Sequence, residues 1–170
     1  MAPRPTFLQA IARLFAPTKR APSRKPPLGE SPGRSGTSAT TEVDPRRLGR
    51  VGMSYSPVTN GDADPGEVVW TWVPYEENDG RGKDRPVLVV ATEPTGTVLA
   101  VELTSKEHAG RREYLALGSG AWDSRGRPSW VKIDRVFRVH QQGMRREATA
   151  LDRRRFEPVR SALMARYGWR

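Results

Sequence analysis

The chain has 170 residues, no cysteine, only two histidines and a formal net charge of +10. That length suits one ordinary domain plus an extension. The composition excludes disulfides, thiol nucleophiles and cysteine-based zinc sites, and with only His108 and His140 it argues against a polyhistidine metal centre. The charge favours a polyanionic partner such as nucleic acid or a membrane surface, the alternative being a solubilising excess with no specific partner. It is unevenly spread. Residues 1–60 hold ten Lys/Arg against three acids, residues 61–110 four against ten, and residues 111–170 fifteen against six. The basic surface of the folded part must therefore come mainly from its second half.

At Thr6 to Phe15, the residues Phe7, Leu8, Ile11, Leu14 and Phe15 make one apolar helical stripe. The stretch is about half the roughly 20 residues of a membrane span, and Arg13 interrupts it in a way that a secretory signal does not tolerate. It reads either as a docking helix for a membrane surface, a partner or the protein's own groove, or as a helix that frays in isolation. Residues 16–60 are rich in Pro, Ser, Gly, Thr and Arg and lack an apolar period. The two stretches together, residues 1–60, are expected to form an extension of short helix plus disordered basic linker, and residues 61–170 the folded domain.

Glu67 to Val73 is a strand by its β-branched and aromatic content, stopped by Pro74. The acidic, glycine-containing stretch Tyr75–Asp84 is longer than the commonest hairpin loops, which marks it for function. Pro86 opens an unbroken apolar run, Val87–Ala91, that reads as a fully buried strand. This puts Arg85 at the boundary between loop and strand. Thr97 to Thr104 is the next strand, with Leu99, Val101 and Leu103 on one face and Glu102 and Thr104 on the other. Glu113–Leu117, Ser129–Ile133 and Val136–Val139 read as further strands. From an Asp152 cap, Leu151, Phe156, Val159, Leu163 and Tyr167 recur at helical spacing, with Pro158 expected to shorten or kink the first turns. The fold class is mainly β with a C-terminal helix, in a small antiparallel sheet or barrel.

An ordered set of motifs resembles the PemK/MazF family of toxin endoribonucleases. It comprises Gly66-Glu67-Val68-Val69-Trp70, the run Arg85-Pro86-Val87-Leu88-Val89-Val90, and Leu103-Thr104-Ser105 closing the next strand. Downstream come Val131-Lys132-Ile133-Asp134-Arg135-Val136 and the helix starting near Leu151-Asp152. The resemblance implies an SH3-like β-barrel with a C-terminal helix, usually a homodimer. It further implies a cytoplasmic type II toxin that cleaves single-stranded mRNA without metal or cofactor and is inhibited by a small antitoxin protein. The family's catalytic arginine falls on Arg85 and its phosphate-binding threonine on Thr104. The chain departs from the family in its acidic Tyr75–Asp84 loop and in Arg135 and Phe137, which follow Asp134 where many members carry Gln and then Arg.

RNA is cut without metal when its 2′-hydroxyl attacks the adjacent phosphorus and the 5′-oxygen leaves. A guanidinium offers a planar fork for two phosphate oxygens, but as a strong base's conjugate acid it is a poor general base. Thr104 supplies a further donor, and Ser105 beside it is a candidate second one. His108 is the side chain best suited by its ordinary pKa to move a proton, or else an ordinary surface histidine. Lys83 and Lys106 are candidate RNA contacts, as is Trp122, a loop tryptophan near Arg125 and Arg127 that could stack a base or simply pack. Trp70 and Trp72 share a face and read as core or dimer interface. From the residues alone, Arg85 is also a salt-bridge partner for Asp84, Glu102 or a loop acid. The competing readings are a non-catalytic nucleic-acid-binding barrel and a protein-directed toxin of the gyrase-poison kind, against which the Arg85/Thr104 pair argues.

Overall fold

Among the described residues, eight antiparallel strands and one α-helix follow the expected class. The computed structural model describes residues 31–58 and 61–170. The expected helix at Thr6–Phe15 and the linker up to residue 30 lie outside the described residues. The strands are β1 (Thr41–Val43), β2 (Glu67–Pro74), β3 (Gly82–Thr92), β4 (Val98–Thr104), β5 (Tyr114–Gly118), β6 (Ser129–Lys132), β7 (Val136–Val139) and β8 (Arg145–Ala150), and helix α1 spans Arg153–Tyr167. They are ordered β1-β7-β4-β3-β2-β8, with β6 pairing both β4 and β5.

Strand β3 runs through the middle of the sheet, and both of its faces are covered. Leu88 and Val90 point into one core with Val101, Leu103 and the helix residues Phe156, Val159 and Leu163. Val87 and Val89 point into a second core with Val69, Val73, Phe137 and Val139. Two covered faces explain the unbroken apolar run, since every side chain along it is buried rather than every second one. Each such valine contributes about 1.5–3 kcal/mol relative to exposure. Pro86 precedes the first β3–β4 register pair, Val87 opposite Glu102, so its missing N–H interrupts no bond to β4.

The helix begins as expected, with the Asp152 side chain accepting from the Arg155 N–H, and it ends at Gly168 in the left-handed conformation, where glycine carries no steric penalty. Pro158 does not shorten it: the helix continues through that residue.

Two expectations are corrected. The buried run is Val87–Ala91 as expected, but the strand that carries it begins at Gly82 rather than Pro86, so Arg85 lies inside β3 opposite Thr71, and only residues 75–81 form the loop. The linker expected up to residue 60 is ordered over residues 31–58. Glu42 pairs with Phe137 across β1 and β7, and Val51 and Met53 are buried. The Tyr55 hydroxyl donates to the Leu151 carbonyl at 2.9 Å. The stretch has no apolar period because its order comes from distant partners met one at a time, and no local repeat records those. Among the described residues, no helix is long and apolar enough to cross a membrane.

Candidate active site

The register of β3 and β4 assembles the site. Val87 stands opposite Glu102 at the end of the β3–β4 ladder, and Arg85 and Thr104, each two residues beyond that pair on its own strand, line the same clefts. Alternation then puts Arg85, Glu102 and Thr104 on one face, at the open end of the core formed by Val87, Val89 and Phe137. Arg135, two residues before Phe137, reaches the same end from the turn ahead of β7.

Glu102 sits between the two arginines. Its Oε2 lies 3.5 Å from the Arg85 Nε, and its Oε1 lies 3.5 Å from the Arg135 Nη1. Arg135 is anchored more firmly elsewhere, donating to Glu42 Oε2 at 2.6 Å and to the Pro74 carbonyl at 2.9 Å. The Arg85 Nε–H is buried and has no hydrogen-bond partner, although the side chain as a whole is 29% exposed. A buried donor without an acceptor is costly unless a ligand satisfies it. Of the salt bridges open to Arg85 from sequence, the structure makes the one to Glu102; Asp84 instead pairs with Arg145 at 3.2 Å.

Two clefts meet at this point, with Arg85, Thr104 and Lys106 as their shared wall. The first, about 510 Å³, is closed by the loop after β2 through Glu76 and Glu77, and by His108, Tyr114 and Lys132. Lys132 is ion-paired with Glu76. Burial works against its charge, but the bond to Glu76 and the field of Asp134 outweigh it and leave its pKa raised. The His108 ring stacks on Tyr114 with centroids 3.7 Å apart and planes within 5°. Burial, and then Arg111, Lys106 and Lys132, hold its pKa below the ordinary histidine value. The second cleft, about 330 Å³, is lined by Trp70, Lys83, Ser105 and Arg127 as well as the shared wall.

The structure thus brings Arg85, Thr104, Lys106 and His108 to one cleft, and Arg85, Thr104, Lys83, Ser105 and Lys106 to the other. The Thr104 Oγ1 accepts the Lys106 backbone N–H at 3.2 Å, which turns the chain at the strand end. Of the two readings of Trp122, stacking a base or packing, its burial agrees with packing. It borders the second cleft but is only 4% exposed within the helix-side core, and its indole N–H is committed to Ser129 Oγ at 3.0 Å. The half-buried Trp70, with the Arg145 guanidinium over its ring, is the tryptophan with accessible surface there. Sequence reasoning did not place Glu102, Arg135 and Lys132 in the site. The alternation of Glu102 with Thr104 and the salt bridge open to it from Arg85 were the available signals. Among the described residues, no group of three or more His, Cys, Asp or Glu side chains is arranged to hold a metal ion.

Comparison with protein families matches residues 64–166 to the PemK-like, MazF-like toxins of type II toxin–antitoxin systems. Among solved structures, the chain is similar to that of MazF (Form-I) from Deinococcus radiodurans, at 20% identity over 63% of this chain and 97% of that one, with a TM-score of 0.48. It is also similar to MazE–MazF (Form-II) from the same organism, at 22% identity over 62% and 95%, with a TM-score of 0.46. Comparison with curated proteins gives no match.

Proposed function

The chain belongs to the PemK-like, MazF-like toxin family of type II toxin–antitoxin systems, and from that membership we propose that it is an endoribonuclease that cleaves single-stranded mRNA in the cytoplasm. The observation that carries this reading is the buried, unpartnered Arg85 Nε–H beside Thr104, on the wall shared by two clefts. In the reaction, the 2′-oxygen attacks the adjacent phosphorus, the P–O5′ bond breaks, and a 2′,3′-cyclic phosphate forms. Arg85 and Thr104 bind the non-bridging oxygens, where negative charge builds up, and their fixed positions remove the cost of reorganising water around it. Lys83, Lys106 and Arg127 attract the flanking phosphates along the second cleft. The shared ridge holds the scissile phosphate, with one neighbouring nucleotide over each cleft.

The active form is a homodimer, and a cognate antitoxin protein silences it by covering the same ridge. The test is incubation of the purified protein with a mixed-sequence single-stranded RNA in EDTA, followed by end-group analysis. The expected result is fragments ending in 2′,3′-cyclic phosphate. Salt-sensitive binding without cleavage would favour a nucleic-acid-binding barrel instead.

A further inference from the structure

The geometry points to Glu102 as a further catalytic residue, the general base that takes the proton from the attacking 2′-hydroxyl; this rests on the ribonuclease reading above. Neither Arg85 nor Thr104 can accept that proton at neutral pH. A base is needed within reach of the phosphate they hold. Glu102 lines the same cleft, one register step below both residues and on their face of the sheet.

A carboxylate under a phosphate site repels the substrate, so its presence calls for an explanation. A purely structural role would be expected to show in its contacts. Elsewhere in this protein, structural glutamates are fully engaged: Glu93 takes two bonds of 2.6 Å from Arg138, and Glu67 takes bonds of 2.7–3.1 Å from Arg146. Glu102 has one contact per oxygen, both at 3.5 Å, and its stronger neighbour Arg135 is spent mainly on Glu42 and Pro74. Its lone pairs are therefore underused in a cleft open to substrate. A base must offer a free lone pair before the reaction, and each Glu102 oxygen meets only one guanidinium, at 3.5 Å.

The step balances as follows. The 2′-oxygen gives its proton to Glu102 and forms the new bond to phosphorus. The P–O5′ bond breaks with its electron pair on O5′, which takes a proton from water in the open cleft. Glu102 then returns its proton to solvent. Arg85 from β3 and Arg135 ahead of β7 contact Glu102; Tyr114 from β5, Lys132 from β6, Glu76, Glu77 and Arg81 from the loop after β2, and Lys106 and His108 after β4 line the same cleft, and Glu42 from β1 is bonded to Arg135.

The experiment compares wild type, Glu102→Gln and Glu102→Asp in single-turnover cleavage across pH. Binding is measured on the same RNA carrying 2′-O-methyl riboses, which cannot react. Glu102→Gln is expected to slow cleavage by about 10² or more, the range of a lost general base. Affinity for the methylated RNA should hold or improve, since one negative charge is gone. The fall in wild-type rate at low pH should disappear in Glu102→Gln, while Glu102→Asp should recover part of the rate and restore that fall. Cleavage by Glu102→Gln near the wild-type rate with an unchanged pH profile would overturn the assignment. So would parallel losses of rate, affinity and melting temperature in both variants, which mark a structural role. Wild-type protein that binds the RNA but never cleaves it would sink the ribonuclease reading itself, and this assignment with it.

Discussion

Glu67 and Glu102 lie two strands apart in one sheet, and each is only 6% exposed and faces arginine. Glu67 is held by Arg146 through three short bonds, closing the β2–β8 edge. Glu102 lies at the outer limit of contact with two arginines, one of which keeps a buried N–H without an acceptor. Burial is the same, and saturation is not. A carboxylate with its hydrogen-bonding capacity filled holds strands together; one left half-satisfied in a cleft is available for chemistry.

Substitutions can break that contrast. The largest effect is expected at Arg85. Arg85→Ala should reduce RNA cleavage by about 10³, the upper range for removing one preorganised donor to a developing oxyanion, with the fold retained by circular dichroism. A loss below tenfold would place the two glutamate regions in one structural class. Glu67→Gln should do the opposite. Urea unfolding should show a loss of about 2–3 kcal/mol, less than for a fully buried pair because Arg146 still touches water. Cleavage per folded molecule should be unchanged. Thr104→Ala should fall between these in activity, losing about 10–100-fold in cleavage rate, the equivalent of one hydrogen bond to a charged group. Gel-resolved kinetics on one RNA would rank it against Arg85→Ala.

The smallest effect tests a second saturated pair. The hydrogen bond from Arg138 holds the Glu93 carboxyl below its ordinary pKa. A depressed carboxylate contributes stability that is complete above its unfolded value and is lost as pH falls through the folded one. Arg138→Gln should therefore cost stability at neutral pH, and the difference from wild type should shrink toward zero in acid. Because Arg138 is 35% exposed, the difference should stay below about 1 kcal/mol, measured by urea unfolding at about pH 7 and about pH 3. A difference constant with pH would mean that packing, not the ion pair, carries it.

What could be read in advance follows from the range of each interaction. The strand Val136–Val139, the Asp152 cap and the Phe156, Val159 and Leu163 stripe were legible because propensity and period act over a few neighbouring residues. The run Val87–Ala91 announced a strand covered on both faces, and Arg85 just ahead of it was legible as the first site residue. Strand β8, by contrast, is Arg-Arg-Glu-Ala-Thr-Ala. It becomes a strand because β2 offers it an edge and Glu67 offers Arg146 a partner. Likewise, Thr41–Val43 is ordered by β7, over ninety residues away.

The sequence by itself determined strands β2 to β7, the closing helix, and an arginine and a threonine on neighbouring strands, since those depend on local chemistry and alternation. Tertiary structure alone decided that Trp122 is buried, that Arg85 turns to Glu102 rather than Asp84, and that Arg135 reaches the same carboxylate. Those outcomes depend on register and on which distant charges share a volume largely shielded from water. In such a volume, charges interact strongly enough to separate a fully bonded carboxylate from a half-satisfied one.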